Sequence, residues 1–271
     1  MEVNTQPLQK DEYLKDGVIH CKNCNEPRQT TINIFGKDKI VRCICECQNQ
    51  KYLKEEEEIK QKEKLRQIKE LKVKSLLGSR YSDVNFENIS SGNETFNKAL
   101  ERCKKYCNIS NKALEEGWGI YIYGSSGTGK THLTACMCNE LTNQLKQCLF
   151  TNFFEISKSI RNTFNNNGES EVNLIERLSH VDFLFIDDIG TELLKKNGED
   201  TWLQEKIYDI INKRYNNKLP TIFTSNYSLS ELLNSRGMMD KTVDRILEMS
   251  TAIIKIEGKS YRQVSKVSVP F

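Results

Sequence analysis

Apolar runs of strand length alternate with helical stretches along the chain beyond Gly78. The apolar runs lie at residues 119–124, 147–152, 181–187, 220–226 and 251–258, and the helical stretches include 130–146, 155–165 and 201–217. Apolar strands separated by helices are typical of a parallel sheet with both faces covered. The pattern therefore predicts an α/β domain built on a five-stranded parallel sheet. The polar segment at 162–173, between the second and third strands, is predicted to be a mobile loop.

A charged segment with a different pattern runs from Lys51 to about Leu77. Its side chains are nearly all charged or long and polar, and Glu–Lys pairs are spaced four residues apart at 56 and 60, 58 and 62, and 70 and 74. Such pairs meet one turn apart on a helix. The apolar residues of the segment keep no steady repeat of about 3.5 residues. We therefore predict a solvated connecting helix rather than a coiled coil.

The N-terminal part of the chain combines a hairpin pattern with clustered cysteines. The strand-like segments TINIF and KIVRC are separated by GKDK, and they lie between a CxxC pair and a CxCxC run. Five thiols at this spacing are typical of a four-coordinate metal site. We predict Zn²⁺ bound by Cys21, Cys24, Cys45 and Cys47, with Cys43 as the alternate third ligand.

Zinc is favoured over a redox role for this cluster. A segment of roughly thirty residues has too little apolar material to fold alone, and a structural metal is the usual remedy. A reactive CxxC pair is the competing interpretation, but no thioredoxin-like βαβ pattern surrounds it. The other cysteines lie in helical or strand contexts without ligand pairing, and we predict that they are core residues: Cys103, Cys107, Cys136, Cys138 and Cys148.

Composition narrows the class of protein further. The 271 residues are 37% hydrophobic and 28% charged, which is typical of a soluble globular protein. No apolar run approaches the roughly 20 residues of a membrane helix, and no secretory signal pattern begins the chain, so we expect a cytoplasmic protein with reduced thiols and no membrane partner. The 40 basic and 37 acidic residues nearly cancel, so any DNA contact requires a local basic patch.

The first predicted strand leads into a phosphate-binding loop. Residues 124–131, GSSGTGKT, match the GxxxxGK[ST] spacing between a strand and a helix. Backbone N–H groups of such a loop contact the phosphates of ATP, Lys130 adds a positive charge, and the Thr131 hydroxyl binds Mg²⁺. The predicted nucleotide-binding residues here are Gly124, Ser125, Ser126, Gly127, Thr128, Gly129, Lys130, Thr131 and His132.

The third and fourth predicted strands end in polar residues that complete this site. Asp187 ends an apolar strand and is predicted to bind Mg²⁺ with Thr131, while Asp188 orients or deprotonates the attacking water. Carboxylates at a strand end can instead cap helices, but the phosphate loop upstream favours catalysis. Asn226 ends a strand at the same sheet edge and is predicted to hold the water or the γ-phosphate. Taken alone, such an Asn is usually a turn residue.

These motifs resemble those of bacterial and phage helicase loaders of the DnaC/DnaI type, which are AAA+ ATPases. The similarity rests on YGSSGTGKTHL (123–133), FLFIDDIG (183–190), INKRYNNKLPTIFTSN (211–226), VDRILEM (243–249) and GKSYR (258–262). It covers most of the chain, and the cysteine knuckle ahead of a linker is similar too. Transposition helper ATPases share much of the core. The resemblance implies an ATP-hydrolysing AAA+ domain that self-associates into a ring or spiral.

The resemblance also implies roles for particular arginines. Arg245 is the candidate finger that reaches the γ-phosphate held by a neighbouring subunit. Some relatives carry another arginine four residues earlier, where Lys241 stands here, so the finger can be either residue, although a lysine lacks the planar fork. Arg262 resembles the sensor arginine that reads the nucleotide state within its own subunit. Arg236 is predicted to be an ordinary surface residue.

Partners follow from the resemblance as well. The N-terminal domain of this family binds the replicative hexameric helicase, and the ATPase spiral can hold single-stranded DNA. The local candidate for DNA contact is Asn152, Phe153 and Phe154 through Lys158 and Arg161, where aromatic rings adjoin cations. Phe153 and Phe154 can instead pack the helix onto the sheet.

We therefore expect a zinc-binding, helicase-interacting domain at 1–50, a charged helical linker at 51–80 and an AAA+ ATPase domain at 81–271. The expected function is ATP-dependent loading of the replicative helicase onto DNA. Two alternatives stay open: a transposase-assisting ATPase, and a zinc-dependent DNA-binding module whose ATPase is vestigial.

Overall fold

Two β-hairpins begin the computed structural model, which describes residues 7–75, 81–89, 92–163, 170–190, 201–234, 240–258 and 260. β1 (Glu12–Lys15) pairs with β2 (Val18–Cys21), and β3 (Gln29–Ile34) pairs with β4 (Lys37–Arg42), both antiparallel. The hairpin predicted from TINIF and KIVRC is confirmed as β3 and β4. The prediction that GKDK connects its two strands is wrong. Phe35 and Gly36 alone form the turn, because both adopt the positive φ (50° and 79°) that tight two-residue turns require.

A long helix, α1 (Glu46–Lys74), follows the hairpins. Most of it is exposed, as predicted, and Glu56 pairs with Lys60 at 2.7 Å. Among the described side chains Glu58 and Lys62 form no ion pair, and the side chain of Lys74 lies outside the described residues. The chain divides into two compact units between Leu65 and Arg66. The last turns of α1 belong to the second unit, where Ile68 and Leu71 are buried.

The predicted five-stranded parallel sheet is confirmed in the second unit. Its strands are β5 (Gly119–Tyr123), β6 (Cys148–Asn152), β7 (Phe183–Ile189), β8 (Thr221–Ser225) and β9 (Ser250–Lys255). They lie in the order β6-β7-β8-β5-β9, and all neighbours are parallel. β5, which leads into the phosphate loop, therefore lies between β8 and β9, with β7 on the far side of β8.

Helices cover both faces of the sheet. They are α2 (Glu94–Asn108), α3 (Ser110–Glu116), α4 (Lys130–Asn143), α5 (Phe153–Thr163), α6 (Glu171–His180), α7 (Thr201–Asn216), α8 (Leu229–Asn234) and α9 (Asp240–Met249). Alternate residues of a strand face opposite sides. In β7, Leu184 and Ile186 accordingly enter the core under α5–α9, whereas Phe183 and Phe185 enter the core under α2 and α4. The five cysteines predicted to be core residues are all buried, as expected.

The loop predicted at 162–173 is partly wrong. Helix α6 already begins at Glu171, because the Ser170 side chain caps it by accepting the Asn173 N–H at 3.2 Å. Residues 164–169 of the predicted loop lie outside the described residues. None of the helices in the described part of the chain combines the length and apolar character that a membrane span requires.

Candidate nucleotide and metal sites

The phosphate loop passes tightly between neighbouring backbone segments, and two of its glycines show why. Gly124 has φ 151°, and a Cβ there would lie 2.0 Å from the carbonyl oxygen of Ile256. Gly129 precedes α4 with φ 94°, and a Cβ there would lie 2.8 Å from the ring of Phe96. Side chains other than glycine rarely adopt these backbone angles. The spacing of glycines in the sequence motif is therefore required by the turn itself.

Lys130 connects the phosphate loop to the end of β8. Its Nζ donates to the carbonyl oxygens of Gly124 at 2.7 Å and Ser125 at 3.0 Å, and to Asn226 Oδ1 at 2.8 Å. Asn226 in turn donates from Nδ2 to Asp188 Oδ1 at 2.8 Å. The structure thus brings three predicted catalytic residues into one chain of hydrogen bonds across the ends of β5, β8 and β7.

The Asp187 carboxylate faces the first turn of α4. It accepts hydrogen bonds from Thr131 Oγ1 at 3.0 Å and from Thr224 Oγ1 at 2.6 Å. Burial raises the pKa of Asp187, and these two hydrogen bonds oppose the rise. A hydroxyl beside a carboxylate is a donor set that suits Mg²⁺, which prefers oxygen ligands. The residues predicted to hold Mg²⁺ therefore lie together.

Asp188 has an unusual backbone conformation. Its φ is 56°, in the left-handed region that residues other than glycine seldom occupy. Its N–H donates to Thr224 Oγ1 at 2.8 Å, and its carboxylate is held by Asn226. This turn separates the directions of two consecutive carboxylates, one toward Thr131 and one toward Asn226. Thr224 contacts both residues, through the Asp187 carboxylate and the Asp188 N–H, and no feature of the sequence marked it.

A cavity of about 520 Å³ lies over the phosphate loop, a size typical of ligand pockets. Nine predicted site residues line it: Ser126, Gly127, Gly129, Lys130, Thr131, His132, Asp187, Asp188 and Asn226. Four further lining residues, Tyr81, Asn88, Ile89 and Phe96, were not predicted. They precede the first strand of the sheet and belong to no motif. The Tyr81 ring meets the His132 ring edge-on, with centroids 6.1 Å apart.

The segment after β9 returns to the same loop. Thr95 Oγ1 donates to the Glu257 carbonyl oxygen at 2.9 Å, which ties this segment to the first turn of α2. A Cβ on Gly127 would lie 2.0 Å from Ser260 Oγ, so Ser260 lies directly beside the phosphate loop. Arg262, the predicted sensor, lies outside the described residues, as does Arg236.

The candidate finger residues lie one turn apart on α9. Arg245 packs over the Tyr215 ring at 4.4 Å, donates to Asn212 Oδ1 at 3.2 Å and pairs with Glu248. Lys241 Nζ lies 4.1 Å from the centre of the Tyr208 ring. Neither residue is among those that line the cavity of its own chain. Both are instead packed against α7, whose aromatic side chains support them.

The predicted DNA-contact residues separate into a buried and an exposed set. Phe153 is 4% exposed and packs in the core under α5, so its predicted role as a stacking platform is wrong. Phe154, the next residue, is 62% exposed because successive helical residues point in different directions. Lys158 lies on the same helix, 3.9 Å from Glu155. Of the aromatic pair, only Phe154 is available to a ligand.

Four cysteine sulfurs converge in the N-terminal unit. The sulfurs of Cys21, Cys24, Cys45 and Cys47 all lie within 4.8 Å of one another. Cys43 lies apart, with its Sγ donating to the Pro27 carbonyl oxygen at 3.6 Å. A tetrahedral zinc site with Zn–S bonds of about 2.3 Å separates its sulfurs by roughly 3.8 Å. The preferred ligand set is therefore brought together at a spacing that fits zinc.

The surroundings of these thiols shift their pKa values in opposite directions: those of Cys21 and Cys45 are lowered, that of Cys24 is raised, and hydrogen bonds with Cys45 and Cys21 raise that of Cys47 to about 12. The backbone N–H of Cys24 is the largest influence that lowers the pKa of Cys21, to about 6. Burial of Cys45 opposes its ionisation, but hydrogen bonds from Arg28, the Gln48 backbone and Cys47 lower its pKa nonetheless. Thiolates, rather than thiols, bind metals. Cys21 and Cys45 are therefore the two members of the donor set that ionise most readily.

Comparison with known proteins agrees with the nucleotide site. Residues 52–268 match the family described as IstB-like ATP binding protein. The chain belongs to this family. The replicative helicase loader DnaC of Escherichia coli K12 is 30% identical over 183 residues, which span 67% of this chain and 70% of DnaC. The loader DnaI of Bacillus subtilis is 27% identical over 159 residues, 54% of this chain and 48% of DnaI.

Solved structures show the same similarity. A crystal structure of the DnaC helicase loader aligns with a TM-score of 0.54 and 26% identity, covering 66% of this chain and all of that chain. The predicted resemblance to DnaC/DnaI-type AAA+ proteins is thereby confirmed. The family match begins at residue 52, after the cysteine cluster, and includes the phosphate loop.

Proposed function

We propose that this protein is a cytoplasmic ATPase that loads a replicative hexameric helicase onto DNA. The observation that carries the proposal is the hydrogen-bonded chain from Lys130 through Asn226 to Asp188 in a protein similar to named replicative helicase loaders. This arrangement links the phosphate loop to the ends of two other strands. A change at the γ-phosphate can therefore move β7 and β8 together.

The residues of the cavity have separate roles in ATP hydrolysis. Lys130 and the backbone N–H groups of the loop bind the phosphates. Thr131 and Asp187 would hold Mg²⁺, which would stabilise negative charge on the phosphates. Asp188 accepts a proton from the attacking water or orients it, and Asn226 keeps Asp188 aligned. Tyr81 and Phe96 provide apolar surface in the same cavity, which suits the base.

A neighbouring subunit completes the site. We assign Arg245, or Lys241 one turn earlier, to the γ-phosphate held by the next subunit of a ring or spiral. Each cation lies over a tyrosine ring of α7, and Arg245 also pairs with Glu248, a contact that it would exchange for the γ-phosphate. Arg262 is the proposed sensor within the same subunit, which its closeness in sequence to Ser260 supports.

The N-terminal unit is the proposed helicase-binding part, stabilised by zinc. Cys21, Cys24, Cys45 and Cys47 would hold the ion, which supplies structural cross-linking of the two hairpins when bound. On the ATPase, Phe154 with Lys158 and Arg161 remains the proposed contact for single-stranded DNA, since an exposed ring beside cations suits base stacking and phosphate binding.

Gel filtration with light scattering tests the partner. The purified chain is mixed with the replicative helicase of its host, with ATP and separately with ADP. A complex that depends on the nucleotide supports the loader function. If no complex forms with the helicase in either nucleotide but one forms with a transposase, the transposase-assisting alternative is correct.

Hydrolysis is tested separately, by phosphate release from ATP. Lys130→Ala is expected to lower the rate by at least about a hundredfold, because a charge next to the reacting phosphate is lost. Lys98→Ala, which removes an exposed lysine outside the cavity, serves as the control. If Lys130→Ala leaves every activity of the protein unchanged, the ATPase is vestigial, which supports the zinc-dependent DNA-binding module.

A further inference from the structure

Arg28 is a buried arginine that lies against the cysteine cluster. Its side chain is only 3% exposed, and it immediately precedes β3. Its Nη2 donates to Cys21 Sγ at 3.2 Å, and its Nε donates to Cys45 Sγ at 3.4 Å. In the sequence, Cys21 precedes the β3–β4 hairpin and Cys45 follows it. One planar guanidinium therefore connects a ligand of the CxxC pair with a ligand of the CxCxC run.

The position of Arg28 is set by its backbone and by two carboxylates. Its N–H donates to the Ile19 carbonyl oxygen at 2.7 Å. Asp11 pairs with Nη2 at 2.7 Å, whereas Glu12 lies 3.6 Å from Nη1, which is an ion-pair contact rather than a hydrogen bond. A guanidinium stays protonated in proteins. Arg28 thus stays a cation in a buried position.

We propose that Arg28 is a positioning residue of the metal site, which holds two thiolates in place and offsets their charge. The inference rests on the proposed zinc site. A divalent ion neutralises only half the charge of four thiolates, so a buried cluster needs further positive charge or N–H donors. Partners that hydrogen-bond to metal ligands orient them and tune the metal. Arg28 does both, because its fork reaches two sulfurs at once.

Arg42 provides a matched control. It pairs with the same Glu12 at 3.0 Å and is 31% exposed, but its described contacts include no sulfur. Arg42→Met therefore removes a cation from Glu12 without changing the thiolates, whereas Arg28→Met changes both. Arg28→Lys keeps the charge but loses the planar fork. Comparing the three variants separates an effect on the metal ligands from a general effect on the fold.

The experiment measures zinc release from the full-length protein into a chromogenic chelator. We expect Arg28→Met to release zinc at least about tenfold faster than wild type, as loss of such supporting contacts commonly does, while Arg42→Met stays near the wild-type rate. Protein reconstituted with Co²⁺ gives a second measurement. Its thiolate-to-cobalt absorption band should shift in Arg28→Met, since two sulfurs lose N–H donors, and should not shift in Arg42→Met.

Each other outcome has a defined meaning. If Arg28→Met and Arg42→Met release zinc at the same rate with the same cobalt band, Arg28 has no role at the metal. If Arg28→Met does not fold, Arg28→Lys decides: faster release than wild type supports the role, and the wild-type rate overturns it. If the wild-type protein purifies without zinc and Cys45→Ser does not change its metal content, the metal site itself is contradicted. That outcome is distinct from a failure of the proposal about Arg28.

Discussion

Replacement of Arg214 by methionine should strongly destabilise the ATPase domain. Arg214 is wholly buried at the end of α7. Its guanidinium donates to the carbonyl oxygens of Leu178 at 3.1 Å, Val181 at 2.9 Å and Pro220 at 2.7 Å, and to Thr221 Oγ1 at 2.9 Å. It therefore joins the end of α6 to the start of β8. Methionine preserves much of the side-chain volume but supplies no donor.

The magnitude follows from the acceptors that remain. Leu178 and Val181 lie at the C-terminal end of α6, where carbonyl groups have no partner within the helix. Each buried acceptor left unsatisfied costs about 1–3 kcal/mol, so these two predict a loss of roughly 2–6 kcal/mol. Pro220 is left out because its carbonyl also accepts the Leu184 N–H at 3.4 Å. Removing a buried cation offsets part of the cost.

Urea unfolding followed by circular dichroism measures this loss. Lys213→Met is the control, because Lys213 pairs with Glu176 at 3.0 Å while both side chains are about half exposed. Such a surface pair contributes at most about 1 kcal/mol. An Arg214→Met variant that unfolds within about 1 kcal/mol of the Lys213→Met variant, a difference expected of surface pairs alone, would refute the reasoning.

Other substitutions test individual sites. Burial raises the pKa of Asp187, so its ionised form opposes folding at pH values above its native pKa; Asp187→Asn should raise the thermal midpoint at pH 7 while abolishing ATP hydrolysis. Metal analysis should find one zinc per chain in Cys43→Ser and none in Cys45→Ser, because of these two cysteines only Cys45 belongs to the four-sulfur cluster. Arg245→Ala should slow hydrolysis by the assembled protein about a thousandfold, as expected of an arginine finger, without weakening nucleotide binding. A larger loss of hydrolysis in Lys241→Ala than in Arg245→Ala would assign the finger role to Lys241 instead.

Local patterns predicted the elements that hold the chemistry. The phosphate loop is specified by consecutive residues, since a strand, a glycine turn and a helix follow one another in the chain. Two elements that the sequence analysis did not predict also had a signal in the local sequence. Asp16 and Gly17 form the turn between β1 and β2 with positive φ, a dipeptide typical of tight hairpins. Ser170 marks the start of α6 as a helix cap.

Other features had no local signal. Phe153 and Phe154 are the same residue type at consecutive positions, yet Phe153 packs in the core and Phe154 is exposed. Periodicity alone cannot place them without knowing which face of α5 meets the sheet. Tyr81 reaches the cavity because Asn139 of α4 donates to its carbonyl oxygen at 2.9 Å, across 58 positions of the chain. Such a contact depends on the path of the whole backbone.

The sequence by itself determined the order of strands and helices, the phosphate loop, the acidic strand end and the cysteine pairs, because each depends on neighbours close in the chain. Only the tertiary structure decided which four thiols converge, which cation supports them, and that Asn226 connects Lys130 to Asp188. These contacts join residues from separate elements. Their distances follow from how strands pair and helices pack, and that packing is a property of the whole fold.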